Sequence, residues 1–354
     1  AALVRRRFGE EVLNYIVDPF ISGVYAGDPE LLSSRFALKM LSELEQGHGS
    51  VLSGAIKKAR THKASHREAK KNPQGEAREN GARNATHNGV PHILTFRQGM
   101  QQLPRALEAA LAHPVRYQQR VTDVTFREGL WQISAGDRAH RQMLRANVLV
   151  IALQSHQLCA VTWPDGMSPE LPAVQRLPHA PIATVSLGFH RAQIAHPLNG
   201  FGVLAPYKEE RGILGALFNS SMFAERAPES QVQLTAFVGG ARFRGKLTNA
   251  RAEELSLSEL NSLLGITGPP VMVSSHVWHD GIPQFNLGHE AVDASLARLE
   301  AAWPGLYFTG SYRTGVAVGD CLLHGIEVGA RAGSVKPSDI HDFANLAVAG
   351  PHSL

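Results

Sequence analysis

The stretch LYFTGSYRTGVAVGDCLLHGIE, from Leu306 to Glu327, constrains this chain more than any other. The apolar residues from Leu306 read as a strand over 306–309, and a helix is predicted over 319–332. Between them Gly310 and Gly315 permit a close backbone approach. Gly319, Gly325 and Gly329 leave one helix face without bulk. Such a helix can pack tightly on a sheet while its N-terminal amides point at an anionic or electron-rich group. From the residues alone, a ligand-facing helix and a helix merely docked on a sheet stand even.

Upstream, the texture of the chain changes several times. Val4, Phe8, Val12, Leu13, Ile16, Val17 and Phe20 recur at helical spacing, which predicts one amphipathic helix ended by Pro19. Ser33 or Ser34 can cap a second helix carrying Phe36, Met40, Leu41 and Leu44. Val51, Leu52, Ala55, Ile56 and Ala59 suggest a third. Residues 61–90 are polar and nearly free of large apolar side chains, the texture of a surface loop. The net charge is +4, and Lys57, Lys58, Arg60, Lys63, Arg67, Lys70 and Lys71 hold a local excess. No aromatic is interleaved with them, which argues against nucleic acid as a partner. A solvated loop is preferred to one drawn to an anionic membrane surface.

From Pro91 onward, FRQGMQQLPRALEAAL reads as a turn and a helix with Pro104 in its first turn. Val121–Phe126 and Leu130–Ile133 flank Arg127-Glu128-Gly129 as a hairpin. The apolar run Val148–Leu153 predicts a fully buried strand. Further strands are expected at 183–189, 213–218, 232–238 and 271–278, and a helix at 252–264. No apolar run is long enough to span a bilayer. Cys159 and Cys321, far apart, read as two reduced thiols of a cytoplasmic protein.

Three glycine patterns invite a phosphate-loop reading, and each fails on context. In Gly47–Gly54 a leucine, Leu52, takes the third glycine position and no strand precedes. Gly200-Phe-Gly202-Val-Leu-Ala205 is followed by Pro206 and no helix. Gly240-Ala-Arg-Phe-Arg-Gly245-Lys246 follows a strand, but Leu247 stands where a hydroxyl should hold magnesium, and bulky side chains fill the loop. His62 with His66, and His276 with His279, lack a convincing third ligand, so no metal is expected. No Gly-x-Ser-x-Gly elbow is present.

Several stretches together carry a resemblance. They are RRRFGEEVLNYIVDPFISGVYAGDPELLSSRFA at the start, then FRQGMQQLPRAL, NGFGVLAP, FVGGARF and GIPQFNLGH, and finally GSYRTGVAVGDCLLHG. In this order they make the chain similar, over nearly its whole length, to the oxygen-dependent protoporphyrinogen oxidases and their coproporphyrinogen-oxidising bacterial relatives. These belong to the flavin-containing amine oxidases. The resemblance implies an α/β fold: an FAD-binding Rossmann-like domain built from discontinuous segments, a mixed-sheet substrate domain and an inserted helical domain. The expected divisions are a helical, membrane-associated part at 1–60, the loop at 61–90 and FAD-domain segments at 91–156 and 273–346. The substrate domain is expected at 157–272 and a tail at 347–354. The family's N-terminal glycine-rich βαβ unit has no counterpart here, and the chain reads as lacking roughly a hundred residues, the scale of a domain.

Carried over residue by residue, the resemblance implies FAD contacts at Val121, Trp278, Ile282, Gly310, Val316, Ala317 and Val318. It implies a porphyrinogen-facing wall of Phe201, Gly202, Leu204, Leu217 and Phe237. Gln98 stands where the family more often has glycine, and the basic residue that holds a substrate propionate falls in the missing unit. The implied reaction takes six electrons from a porphyrinogen in three two-electron steps, with dioxygen as acceptor. No acid–base residue is assigned, because the cofactor carries the redox chemistry. Peripheral membrane contact and a homodimer stay open, as do protoporphyrinogen against coproporphyrinogen. Another amine oxidase or a desaturase of the superfamily, and a non-catalytic porphyrin-binding chain, are the alternatives.

Overall fold

The computed structural model describes residues 1–37, 94–136, 141–223 and 225–335, and the backbone alone at 86–87 and 90–91. Several helical pieces replace the single helix expected at the N-terminus. They are α1 (Ala2–Phe8), α2 (Glu10–Val12), a π-turn (Leu13–Val17) and α3 (Asp18–Tyr25). Pro19 opens α3 instead of ending a helix, since a first turn needs no N–H from it. The π-turn also shifts the phase of the apolar positions. Val4, Leu13 and Ile21 are buried, whereas Ile16, Phe20 and Val24 form an exposed row along one side. The expected single buried face is therefore two faces. Of the second helix, α4 (Ser34–Ala37) is seen. Met40, Leu41 and Leu44, and the third helix, lie outside the described residues, as does most of the polar stretch.

Residues Leu38–Val115 form a unit of their own. Its described parts include β1 (Thr86–His87) paired antiparallel with β2 (Val90–Pro91), a short hairpin at the end of the stretch read as loop. It also holds α5 (Gln102–Ala109), with Pro104 in its first turn as expected.

The other unit has two apolar cores. Around the second, β3 (Val121–Arg127) and β4 (Leu130–Ala135) form the expected hairpin, extended by β5 (Gln142–Ala146). Glu128 and Gly129 both have positive φ, 54° and 73°, as a two-residue hairpin turn demands. Trp131 is fully buried between Phe126 and Trp303, and its Nε1 donates to the Pro304 carbonyl at 2.9 Å. β6 (Leu149–Ile151) runs parallel to a later strand, β12 (Leu306–Phe308). The short helix α6 (Leu171–Gln175) packs here too. Val150 is 42% exposed, so the strand expected to be fully buried is covered on one face only.

The first core lies under a five-stranded sheet of order β11-β7-β10-β9-β8. Its strands are β7 (His179–His190), β8 (Gly202–Leu204), β9 (Gly215–Leu217), β10 (Gln231–Gly239) and β11 (Met272–Pro283). A turn of helix, α7 (Asn219–Met222), links β9 to β10. Val185, Leu187, Leu234 and Ala236 alternate onto the face covered by α8 (Asn249–Leu264). Ala252, Ser256, Leu260 and Leu264 recur at helical spacing on the buried side of α8. The Thr248 hydroxyl accepts from the Arg251 N–H, and Gly265 at φ 58° ends the helix. Full burial of Leu260 and Leu264 is worth about 1.5–3 kcal/mol each. Helix α9 (Glu290–Ala302) closes the second core with Val292, Leu296 and Leu299, and α10 (Val318–Ser334) follows β12. No helix among the described residues is long and apolar enough to cross a membrane.

Candidate functional site

The register of the five-stranded sheet determines which side chains share its other face. Directly paired residues of an antiparallel sheet point the same way. One row across the strands is Gly202, Leu217, Thr235, Ser186 and Ser274. The next is Leu204, Gly215, Phe237, Thr184 and His276, and Trp278 lies opposite Ile182 one step further. The Ser186 and Thr235 hydroxyls are 3.5 Å apart, as one face requires. Phe237 and Ile282 pack against Ala26, Ala180 and Ile182 in one small cluster. Leu204 and Trp278 stay about half exposed. The face is an apolar floor with a hydroxyl stripe, and it carries no carboxylate in these rows.

Helix α3 is tied to the residues that follow β11. The Gln284 amide donates to the Tyr25 carbonyl at 2.9 Å and to the Ile282 carbonyl at 3.0 Å. Burial, and then the charge of Asp320 in the first turn of α10, push the Tyr25 phenol above its ordinary range. Gly315 has φ 155°, in the region that favours glycine, and a Cβ there would meet the Asp320 side chain. Gly310 has φ 146°, again in the region that favours glycine.

Five of the predicted site residues therefore share one neighbourhood on the sheet: Gly202, Leu204, Leu217, Phe237 and Trp278. Ile282 joins them through its contact cluster. Phe201 immediately precedes β8 and is 51% exposed. Val316, Ala317 and Val318 lead into α10, and Gly310 follows β12. Val121 starts β3 and packs into the second core, away from the sheet rows. The sequence reading missed Tyr25, Gln284 and Asp320, and also His276 with the hydroxyl stripe. Period-two alternation along β7, β10 and β11 carried a signal for the stripe; nothing local ties Tyr25 to Asp320.

Gly202 packs so closely on β9 that an added Cβ would meet the Ala216 carbonyl oxygen. Gly202→Ala is expected to lower stability by about 1–3 kcal/mol, the range for overpacking. Thermal unfolding checks it, and an unchanged midpoint would refute the close approach.

Burial pushes the imidazoles of His179, His289 and His324 below the usual value near 6.5. His289 is enclosed by Phe36 and Phe285. All three stay neutral in the folded chain as pH falls through 6.5, while the unfolded chain takes up protons. Stability is therefore present above pH 6.5 and is lost on acidification. Urea unfolding is expected to show stability falling between pH 6.5 and 5, and a flat profile would refute it. His289→Phe should flatten that dependence.

The sequence profile of the family described as flavin containing amine oxidoreductase matches residues 1–332. The chain belongs to that family. It is 30% identical over 337 residues to protoporphyrinogen oxidase 2, chloroplastic/mitochondrial, of Arabidopsis thaliana, covering 91% of this chain and 64% of that protein. It is 27% identical over 328 residues to coproporphyrinogen III oxidase of Bacillus subtilis (strain 168), covering 91% and 64%. A crystal structure from Exiguobacterium sp. 255-15 superposes with a TM-score of 0.71 at 20% identity, covering 94% of this chain and 66% of that one. That likeness supports the α/β fold expected from the sequence. The chain spans just under two thirds of the length of these curated relatives.

The cofactor of this family is FAD, and the residues present fit it. Among the described residues no side-chain hydrogen bond caps α10 at Ala317, so its first-turn amides can face a ligand. A Cβ placed on Gly319, Gly325 or Gly329 would meet nothing within 4 Å. Leu323 and Ile326 on the same helix are exposed. An open apolar flank beside free amides suits a flat ring with a polar edge. FAD supplies two-electron redox chemistry when bound.

Proposed function

We propose that this chain is the substrate-binding and flavin-closing part of an FAD-dependent porphyrinogen oxidase. The observation that carries the reading is the apolar sheet face on which Phe237 lies two strands from Trp278, with Leu217 and Leu204 one and two strands further on. Two strand spacings are about 10 Å, the scale of a macrocycle set against a flavin. The curated relatives named for porphyrinogen oxidation support the substrate class.

In this reading Phe237 and Leu217 hold one face of the flat macrocycle and exclude water from it. Trp278 and Ile282 flank the cofactor, and Val316, Ala317 and Val318 present backbone groups to its polar edge. Each of three steps removes two electrons and two protons from the porphyrinogen. One dioxygen becomes one hydrogen peroxide per step, and the aromatic porphyrin is left. The exposed row Ile16, Phe20 and Val24 would rest on a membrane surface from the cytoplasmic side, where Cys159 and Cys321 stay reduced.

The test is turnover by the protein containing these residues together with a nucleotide-binding βαβ unit. Protoporphyrinogen, coproporphyrinogen, primary amines and carotenes are offered in parallel. A rise in porphyrin fluorescence with matching peroxide is expected. Turnover of amines or carotenes alone would assign another activity of the family, and porphyrin binding without flavin uptake would make the chain a binding protein.

A further inference from the structure

The Gly240–Lys246 turn fails as a phosphate loop, because β10 runs into a tight turn with no helix behind it. The Phe243 N–H donates to the Gly240 carbonyl at 3.0 Å, and α8 begins only at Asn249. Its two arginines nevertheless line a cavity of ≈ 250 Å³. Arg242 and Arg244 come from the turn, Arg211 from the loop before β9, and Arg251 from the first turn of α8. Among the described residues no aspartate or glutamate lines it. Nor does any residue assigned above to the substrate wall or to FAD.

The charged groups around the cavity explain why the guanidiniums stand there. Asp18 Oδ1 holds Arg242 Nη1 at 2.7 Å, and the Asp18 Oδ2 accepts from the Tyr207 N–H at 2.9 Å. Arg242 also stacks on the Tyr207 ring at 4.0 Å from its centroid. Glu259 Oε2 accepts from Arg211 Nη1 at 3.1 Å, and Glu254 Oε2 from Arg251 Nη1 at 2.8 Å. Among the described residues Arg244 has no carboxylate partner. Each of these pairings uses one terminal nitrogen of a guanidinium that has five N–H donors, so donors remain on all four arginines. Four positive and three negative groups leave an excess of one positive charge, supplied by Arg244.

We propose that this cavity is an anion site for a phosphate group, free or carried by a nucleotide. A carboxylate is planar and is met by a single fork. A phosphate is tetrahedral and can accept from guanidiniums arriving from several directions, as these do from a turn, a loop and a helix. Leu214 and Leu255 in the same wall give an organic portion an apolar surface.

The probe is pyrophosphate, titrated calorimetrically into the full chain in chloride buffer of matched ionic strength. Wild type is expected to bind one equivalent. Arg244→Gln with Arg251→Gln, both exposed residues, should weaken binding by about tenfold or more while the unliganded melting temperature holds. The single variant Arg244→Gln repeats the test should the pair disturb folding. Binding of ADP tighter than pyrophosphate would point to a nucleotide, and equal binding to free phosphate; both support the site. Absence of binding at millimolar pyrophosphate, equal binding by wild type and the variants, or equally tight binding of succinate would each overturn it.

Discussion

Phe237→Ala is expected to reduce kcat/KM for a porphyrinogen by about 10- to 100-fold, with most of the loss in KM. Phe237 occupies the middle strand of the row Leu204, Gly215, Phe237, Thr184 and His276, and Gly215 beside it offers no competing side chain. It is the one aromatic ring in that row apart from His276. Removing it deletes stacking surface worth about 1.5–3 kcal/mol, and each 1.4 kcal/mol is tenfold in binding. Phe237 also packs on Ile182 and Ile282, so some stability is lost as well. Phe237→Leu keeps most of that packing and should retain a melting temperature near wild type while losing the flat ring. Steady-state kinetics on both variants separate the effects. Unchanged kcat/KM in the alanine variant would remove the sheet face from the substrate site.

Asp18→Asn is expected to destabilise the chain by about 3 kcal/mol, at the lower end for breaking a buried ion pair because Arg242 keeps 19% of its side chain in solvent. The Asp18 side chain is 6% exposed and holds two partners from distant sequence, Arg242 and the Tyr207 amide. The asparagine keeps the volume but not the charge, so Arg242 is left largely enclosed without its counterion. The contact ties α3 to the turn after β10, which also passes the Ala241 N–H to the Ala26 carbonyl at 2.7 Å. Loss of this tie should loosen the end of α3, Tyr25 included. Urea unfolding measures the change, and a shift under 1 kcal/mol would show that the pair is screened as a surface pair is.

Much of this architecture was legible locally. The hairpin at Glu128-Gly129, the Thr248 cap and Gly265 stop of α8, and the strand–turn–helix at 306–334 each rest on a capping hydroxyl or on positions whose backbone angles glycine adopts most readily. Propensity acts within a turn or two, so a string of residues suffices to predict these elements. The amphipathic Val292, Leu296 and Leu299 of α9 carried the same kind of signal and went unread. Pro19 and the expected buried face of the first helix misled, because a π-turn changes helical phase without any composition mark. The family motifs point to candidate wall and cofactor residues, yet not to which of them share a face. That Phe237 stands beside Thr184 and His276, that Asp18 reaches Arg242, and that the Gln284 amide reaches the Tyr25 carbonyl follows from strand register and the packing of α3. Those contacts join residues far apart in the chain. Local sequence determines which groups are available, and only the folded sheet, where a slip of one residue would turn every side chain over, decides which of them share a face.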